Sequence, residues 1–360
     1  MEEFANCNDV TEAIVQLNNL IIEKKVNNSL PAHVVIGRDT RPSSFGLFEC
    51  ACRGVEAMGG IVHDIGTVTT PQLHFVVREL NRKKSKNPES FPNARQELHT
   101  YYSTLSNGYL ELKLTSLAPH PDRIVIDCSN GIGSRSVVNM INVLNASSEG
   151  ALTVDIRNGV GDGPVNEGCG AEIVQKEQHP PIGVSEENNL DQIMCSFDGD
   201  ADRIVFHSFN SCAPDSSVSW SLADGDKIAC LLALILKEEL QIAGFGSSSL
   251  SETTLTIGVV QTAYANGSST HFLRSKGIPV VFAKTGVKYL HRKAHDSFDV
   301  AIYFEANGHG TVLFSQKFDE VVSDWATETA DVNPRVILSR KRIMVCITLS
   351  GERLFMFLKI

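Results

Sequence analysis

Three aspartates at alternating positions, Asp198, Asp200 and Asp202, are the residues whose type and spacing best suit chemistry. They stand in the run Ser-Phe-Asp-Gly-Asp-Ala-Asp-Arg, where the small spacers permit a tight backbone that turns three carboxylates toward one point. Hard oxygen ligands at this density suit Mg²⁺, which often keeps open positions for a phosphate oxygen. Arg203 follows directly and is placed to bind that phosphate. The loop therefore predicts a site for magnesium and a phosphate group.

Other interpretations of this acidic loop remain open. A solvated acidic turn would have the same residues, although open α/β sheets bind ligands at strand ends such as this one. An EF-hand is excluded, because its twelfth position needs Glu and this chain has Phe209 there. A phosphatase that forms an aspartyl phosphate also uses an Asp-x-Asp pair after a strand, but it usually has Thr or Val where Asp202 stands.

Glu305, Asn307 and His309 form a second polar set, directly after the apolar run 300–304. At alternating positions they offer a carboxylate, an amide and a ring nitrogen on a common side, which suits the hydroxyl groups of a sugar. A structural role for a strand-end Glu or His is the alternative. Lys284, at the end of another apolar run, is placed to neutralise a phosphate, and simple solvation of its side chain is the alternative there.

Successive α/β units are predicted to position these residues. Short apolar runs predict strands, and helical spacing with capping residues predicts helices between them, which implies parallel pairing. The polar and charged stretch 81–100 is predicted to be a surface insertion. The main strands are predicted at 33–37, 61–65, 123–128, 193–197, 203–207, 256–261, 279–283 and 300–304.

The composition argues against several classes of protein. The formal net charge of -10 argues against bulk attraction to nucleic acid or to an anionic membrane. The nine cysteines are an odd number without a Cys-x-x-Cys pair, which argues against a disulfide framework and a zinc site. The N-terminus is acidic and polar, and no apolar run approaches the roughly 18 residues of a membrane span. We therefore expect a cytoplasmic protein without a nucleic-acid or membrane partner, and the sequence indicates no oligomeric state.

Seven runs in one order resemble the α-D-phosphohexomutase family. The Glu-Ala-Asn-Gly-His form of the last run is similar to the branch that acts on N-acetylglucosamine phosphates, since related hexose mutases have Ser in place of Asn. The runs are Val-Val-Ile-Gly-Arg-Asp-Thr-Arg-Pro-Ser-Ser (34–44), Thr-Thr-Pro-Gln-Leu-His (69–74), Asp-Cys-Ser-Asn-Gly-Ile-Gly (127–133), Ser-Phe-Asp-Gly-Asp-Ala-Asp-Arg-Ile-Val (196–205), Val-Val-Gln-Thr-Ala-Tyr-Ala-Asn-Gly-Ser-Ser-Thr (259–270), Lys-Thr-Gly-Val-Lys (284–288) and Phe-Glu-Ala-Asn-Gly-His-Gly (304–310).

The resemblance implies an α/β fold of successive three-layer domains with mixed sheets, arranged around a deep cleft. It also implies that the 6-phosphate and 1-phosphate of N-acetylglucosamine interconvert through a bisphosphate, on the route to UDP-N-acetylglucosamine. By this resemblance the three aspartates bind Mg²⁺, and the catalytic roles fall to Arg203 and Lys284. The sugar ring would be held by Glu305, Asn307 and His309.

Two parts of the family pattern do not occur in this sequence. They are the Thr-Ala-Ser-His-Asn-Pro loop that carries the phosphorylated serine and the Arg-Pro-Ser-Gly-Thr phosphate clamp of the fourth domain. We therefore predict an incomplete first domain, a second domain with the metal loop, a third with the sugar loop, a divergent tail, and no fourth domain. The predicted bounds are 1–117 for the first domain, 118–221 for the second, 222–316 for the third and 317–360 for the tail.

Two hypotheses follow from these departures. The chain is an incomplete form of the mutase, which the divergent tail favours, or it is a catalytically silent relative that binds Mg²⁺ and sugar phosphate, or a partner. In both cases we expect no turnover by this chain alone. The reason is that the sequence offers no recognisable serine to carry the phosphoryl group between the two halves of the reaction.

Overall fold

Three β-sheets with flanking helices follow one another along the chain in the computed structural model. The structure describes residues 9–25, 30–86, 91–115, 123–148, 150–212, 217–245, 255–323 and 333–350. The helices are α1 (Val10–Glu23), α2 (Ser44–Ala57), α3 (Thr70–Lys86), α4 (Ala94–Thr115), α5 (Gly133–Ser147), α6 (Ala171–Glu177), α7 (Glu186–Asn189), α8 (Gly225–Ile242), α9 (Gly267–Ser275), α10 (Val287–Ser297), α11 (Gln316–Ser323) and α12 (Pro334–Ser350). The strands are β1 (His33–Arg38), β2 (Ile61–Thr67), β3 (Arg123–Asp127), β4 (Thr153–Arg157), β5 (Met194–Phe197), β6 (Ile204–Cys212), β7 (Ser217–Ala223), β8 (Ile257–Thr262), β9 (Val280–Ala283), β10 (Val300–Phe304) and β11 (Gly310–Phe314).

The first sheet pairs β1 with β2 in parallel, next to α2, α3 and α4. Its register shifts between Ile36 and Gly37, and a side chain at Gly37 would collide with Val68. All six residues of β1 are only half-buried. The buried apolar residues that hold this unit form a small cluster of Ile65, Val68, Val76, Leu80 and Ala94.

The prediction of an insertion at 81–100 is wrong, although most of the described residues of this stretch lie at the surface as predicted. The helices α3 and α4 occupy most of this stretch and pack against each other. Their charged side chains form pairs: the buried carboxylate of Glu97 accepts a hydrogen bond of 2.6 Å from Lys83. On the same helix, Tyr101 and Leu105 are fully buried. The high charge of this stretch therefore belongs to a helix pair that also contributes to the core.

The second sheet carries the acidic loop. Its strand order is β4-β3-β5-β6-β7, with β4, β3 and β5 parallel and the last three strands antiparallel. All four residues of β5 are buried, as expected for an inner strand covered on both faces. The strand β7 was not predicted, although its Ser-Val-Ser-Trp-Ser-Leu run has the alternation that is typical of an outer strand.

The third sheet carries the second polar set. Its order is β11-β10-β8-β9, with β10, β8 and β9 parallel and β11 antiparallel to β10. The helix α8 begins after Asp224, whose side chain accepts a hydrogen bond from the Lys227 amide. Apolar residues of α8, β8 and β10 join those of the second sheet in one continuous core. The predicted α/β class with mixed sheets is thereby confirmed.

Part of the predicted tail forms the helix α12, which packs against α4 and α8. The Arg342 guanidinium donates to Glu239 over 2.6 Å, and the Ser339 hydroxyl donates to the Glu239 carbonyl over 2.6 Å. Ile343 and Leu349 are buried. Residues 333–350 thus complete the core between the second and third sheets. The bounds of the four predicted parts remain a prediction.

Candidate metal and substrate site

The three aspartates converge in the turn between β5 and β6. One carboxylate oxygen from each of Asp198, Asp200 and Asp202 lies within 4.8 Å of the other two. The small spacers permit this turn, since Ala201 adopts a left-handed backbone conformation with φ of 54°. The convergence that the spacing predicted is therefore present, and three hard oxygen donors around one point fit Mg²⁺.

Neighbouring loops hold the backbone of the acidic loop in place. The Asn166 side-chain oxygen accepts hydrogen bonds from the Gly199 amide (2.9 Å) and the Ser129 hydroxyl (2.7 Å). The Gly199 carbonyl in turn accepts from the Ile132 amide over 3.1 Å. A side chain at Gly131 would collide with the Gly199 backbone. Glycine at this position therefore lets the β3–α5 turn press against the acidic loop.

Electrostatic repulsion is concentrated at Asp198. Burial, together with the neighbouring carboxylates of Asp202 and Asp200, raises the pKa of Asp198 well above its ordinary value. Its Oδ1 atom accepts hydrogen bonds from the amides of Asp202 (2.9 Å) and Arg203 (3.0 Å). The Arg203 charge and the Arg203 amide bond lower the pKa of Asp198 only in part. A bound divalent cation would supply the positive charge that this group of carboxylates lacks.

Arg203 connects the acidic loop to α6. Its Nη1 donates to Glu172 over 2.7 Å, and its Nε lies 3.6 Å from Asp198 and 3.8 Å from Asp202. Burial of the guanidinium opposes its charge, but Asp198, Glu172 and Asp202 outweigh this effect and raise the pKa of Arg203. The guanidinium is therefore charged and fixed beside the three carboxylates.

The second polar set lies in the turn between β10 and β11. The Asn307 side-chain oxygen accepts from the His309 amide over 3.1 Å, and Glu305 Oε1 accepts from the Gly286 amide over 3.2 Å. His309 is buried, and its Nε2 has no hydrogen-bond partner among the described residues. Gly308 closes the turn with a φ of 89°, which favours glycine.

The acidic loop and this second turn meet directly. The His309 Nδ1 atom lies 3.2 Å from Asp202 Oδ2, and the Ile204 amide donates to the Gly308 carbonyl over 3.3 Å. The Gly225 amide also donates to the Ala306 carbonyl over 3.0 Å. The structure thus brings together five predicted site residues, the three aspartates, Arg203 and His309, with Glu305 and Asn307 on the same turn.

Lys284 is less closely integrated than the other predicted site residues. It follows β9, and its side chain is exposed. Its loop nevertheless reaches the second polar set, because the Gly286 amide two residues later bonds Glu305. A long, exposed lysine beside this turn is available to an anionic ligand, but its position does not by itself define a role.

Two residues near the metal ligands were not among the predicted site residues. Thr70 donates its hydroxyl to Asp200 Oδ2 over 2.5 Å, and Arg41 Nη2 lies 4.0 Å from Asp200 Oδ1. Arg41 also pairs with Asp39 of its own loop, over 2.6 Å. The available sequence signal for Thr70 is the Thr-x-x-Gln pattern beginning at Thr69, which marks a helix start rather than a site.

Comparisons with known proteins agree with this geometry. The family model for the α/β/α domain I of phosphoglucomutase/phosphomannomutase matches residues 2–88. The models for domains II and III of the phosphoacetylglucosamine mutase AMG1 match residues 94–205 and 224–351. The acidic loop thus falls within the match to domain II, and the second polar turn within the match to domain III.

Phosphoacetylglucosamine mutases also appear among the full-length relatives. The chain is 41% identical to the Sus scrofa protein over 326 residues, which cover 90% of this chain and 55% of the relative. It is 40% identical to the Homo sapiens protein over 341 residues, which cover 92% of this chain and 57% of the relative. The chain therefore spans about half the length of the curated relatives it matches.

Solved structures show the same class of fold. An N-acetylglucosamine-phosphate mutase of the α-D-phosphohexomutase superfamily, in the apo form, is 32% identical, with a TM-score of 0.77 over 98% of this chain and 70% of that one. The Aspergillus fumigatus N-acetylphosphoglucosamine mutase in complex with GlcNAc-6P and magnesium is 30% identical, with a TM-score of 0.79 over 99% of this chain and 62% of that one. The fold is that of an α-D-phosphohexomutase. Within that superfamily, the chain belongs to the phosphoacetylglucosamine mutase family.

The helices of the described residues differ in length and in apolar character. Within the described part of the chain, none of them combines the length and the apolar character needed to cross a bilayer.

Proposed function

We propose that this chain holds Mg²⁺ and an N-acetylglucosamine phosphate for the phosphoacetylglucosamine mutase reaction. That reaction interconverts N-acetylglucosamine 6-phosphate and N-acetylglucosamine 1-phosphate, and its product would enter UDP-N-acetylglucosamine synthesis. The observation that carries the proposal is the junction between the two loops, where His309 of the sugar turn lies 3.2 Å from Asp202 of the metal loop. A phosphate bound at the metal loop would therefore have its sugar ring beside the second polar set.

Each predicted site residue has a role in this proposal. Magnesium, when held by the three aspartates, supplies positive charge to phosphoryl oxygens. Arg203 is fixed beside the carboxylates by Glu172 and binds the phosphate, while Lys284 offsets its charge from the opposite loop. The Glu305 carboxylate accepts hydrogen bonds from the ring hydroxyls, and the Asn307 side-chain amide donates to them. The buried Nε2 of His309 is a further group available to the ligand.

Binding measurements test this proposal. Isothermal titration calorimetry of the purified chain should show uptake of Mg²⁺ and, with Mg²⁺ present, of N-acetylglucosamine 6-phosphate. We expect Asp200→Ala to weaken Mg²⁺ binding and Glu305→Ala to weaken sugar-phosphate binding while Mg²⁺ uptake persists. An exposed acidic residue outside the predicted site, Glu186, provides the matched control as Glu186→Ala. Unchanged Mg²⁺ affinity in Asp200→Ala would refute the metal assignment.

A second candidate function is that of a catalytically silent relative that binds metal and sugar phosphate. The observation in its favour is that no Thr-Ala-Ser-His-Asn-Pro run occurs in the 360 residues. An assay with Mg²⁺, N-acetylglucosamine 6-phosphate and a priming bisphosphate tests whether this chain alone turns over the substrate. We expect binding without formation of the 1-phosphate or of a phosphoprotein by this chain alone. Turnover above background would show that the chain carries a nucleophile that sequence reasoning did not find.

We also propose a cytoplasmic location. It is supported by the thiols of Cys128, Cys169, Cys195 and Cys230, which are free and buried, as is usual for proteins of a reducing compartment. Microscopy of the chain with a fluorescent tag tests this location, and a signal confined to a secretory compartment would contradict it.

A further inference from the structure

We propose that Thr70 is a positioning residue of the metal loop, which orients the Asp200 carboxylate for a divalent cation. The inference rests on the magnesium assignment in the proposed function and adds to it a residue from a different part of the fold. Thr70 begins helix α3, beside the first sheet, whereas Asp200 belongs to the second sheet's acidic loop. Their hydrogen bond joins residues 130 positions apart in the sequence.

The three metal ligands are oriented in different ways. Asp198 is held by the loop's own backbone, because its Oδ1 accepts two amide hydrogen bonds within the loop. Asp202 lies beside the His309 imidazole, at 3.2 Å, and the Arg203 guanidinium, at 3.8 Å. Both of these aspartates are therefore placed by groups that belong to the acidic loop or to the sugar turn.

Asp200 is oriented from outside these loops. Its side chain is 22% exposed, compared with 8% for Asp198 and 16% for Asp202, so packing restrains it least. The Thr70 hydroxyl donates to its Oδ2 over 2.5 Å, and the Thr70 amide donates to its carbonyl over 3.1 Å. Thr70 therefore bonds both the backbone carbonyl and Oδ2 of Asp200, and its hydroxyl does not occupy Oδ1, which lies 4.0 Å from Arg41 Nη2.

The start of α3 is itself rigid. Thr69 and Gln72 form a reciprocal capping box, in which the Thr69 amide donates to Gln72 Oε1 (2.9 Å) and the Gln72 amide donates to Thr69 Oγ1 (3.3 Å). The buried Gln72 side chain also donates to Tyr102 of α4 (2.5 Å) and Ser136 of α5 (3.2 Å). The hydroxyl that reaches Asp200 is thus held by three helices.

A neutral donor at this place has a specific chemical effect. The hydroxyl fixes the rotation of the carboxylate without adding a positive charge that would compete with the cation. Partners of this kind behind a ligand typically contribute about 10- to 100-fold to metal affinity. The contribution should be lost with the hydroxyl and should not depend on the stability of the fold.

The experiment compares Thr70→Val, which removes the hydroxyl but keeps the shape, with Thr70→Ser, which keeps the hydroxyl. Thr100→Val is the matched control, because the Thr100 hydroxyl bonds its own helix at the Gln96 carbonyl over 3.5 Å. Magnesium affinity is measured by calorimetry and the thermal midpoint is measured without metal. We expect Thr70→Val to weaken Mg²⁺ binding about 10-fold. Thr70→Ser and Thr100→Val should bind as the unchanged chain does, with similar thermal midpoints throughout.

Equal affinity in the unchanged chain and Thr70→Val would overturn the inference while leaving the magnesium assignment intact. An equal loss in Thr70→Val and Thr70→Ser would also overturn it, because the hydroxyl would then not be the cause. No Mg²⁺ uptake by the unchanged chain would refute the metal assignment and the inference together. Thr70→Ala gives the same test should Thr70→Val not fold, since it removes the hydroxyl without adding a methyl group at the helix start.

Discussion

The sheet that carries the acidic loop and the two-stranded sheet beside it differ sharply in how they are packed. Every residue of β5 is buried, whereas every residue of β1 is only half-buried. Helix α5 buries six residues against the second sheet, and α2 buries none, with Phe45 59% and Leu47 68% exposed. The three aspartates of the proposed metal site therefore lie on the better-packed region, as a rigid site requires.

Helix α3 belongs to both regions. Its Phe75 is part of the large core under the second and third sheets, while Val76 and Leu80 belong to the small cluster under β1 and β2. The same helix offers Thr70 to Asp200. The less densely packed unit can contribute to the site because the helix that reaches the acidic loop is anchored in the larger core.

The largest expected effect is a loss of folding stability, and it should differ between the two regions. Phe197, in β5, is fully buried, so Phe197→Ala should lower the free energy of unfolding by about 3–5 kcal/mol. Phe45→Ala, on the exposed face of α2, should cost less than about 1 kcal/mol. Urea denaturation of both variants measures the difference. Equal losses would contradict the contrast in packing.

A buried histidine makes the stability of the second sheet depend on pH. Burial lowers the pKa of His207 to about 4, from an ordinary value near 6.5. The unfolded chain takes up the proton below about pH 6.5 and the folded chain only near pH 4. Stability should therefore fall by about 3 kcal/mol as the pH is lowered through this window.

Substitution of this histidine tests the assignment. Denaturation at pH 7 and pH 4.5 should show a smaller difference for His207→Gln than for the unchanged chain. The control is His99→Gln, which removes an exposed imidazole from α4. A pH dependence that persists in His207→Gln would assign the effect to other groups.

The raised pKa of Asp198 makes stability depend on pH in the opposite direction. Without metal, the folded chain holds this proton to a higher pH than the unfolded chain, so stability falls as the pH rises above about 4. At pH 7, metal-free Asp198→Asn should be more stable than the unchanged chain by at least about 1 kcal/mol, the energy of one like-charge pair in water. Magnesium should stabilise the unchanged chain and not the variant. Asp296→Asn, at an exposed position, is the control, and a destabilised metal-free Asp198→Asn would contradict this account.

The smallest effect concerns the two-stranded sheet. Arg38 bonds Asp64 over 3.1 Å and lies 4.3 Å from the Phe48 ring centre, and both contacts are partly exposed. Arg38→Ala should cost about 1 kcal/mol. Hydrogen exchange should accelerate in β1 and β2 but not in β3 and β5. The control Arg53→Ala loses only an exposed ion pair with Glu49, and a uniform change across all sheets in Arg38→Ala would remove the distinction between the regions.

Much of the fold was predictable because its signals are local. Apolar runs predicted β3, β5, β8 and β10 to within a few residues. The capping residue Asp224 is a local signal for the start of α8. Three strands were missed: β4, β7 with its alternating serines, and β11, which follows the glycine turn. The helical structure of 81–100, the end of α3 and the start of α4, was missed because its charges were read as solvated, while in the fold Lys83 and Glu97 pair with each other.

The sequence by itself determined the chemical content of the site. The spacing of the three aspartates, the small residues between them and the adjacent arginine are local properties, and they predicted the convergence of the carboxylates that the structure shows. What the tertiary structure decided is which distant residues complete the site. Asp202 meets His309 and Asp200 meets Thr70 only because the packing of the sheets and α3 brings these turns together. Contacts of this kind leave no periodic pattern in a single sequence, because each partner alone has the composition of an ordinary turn or helix start.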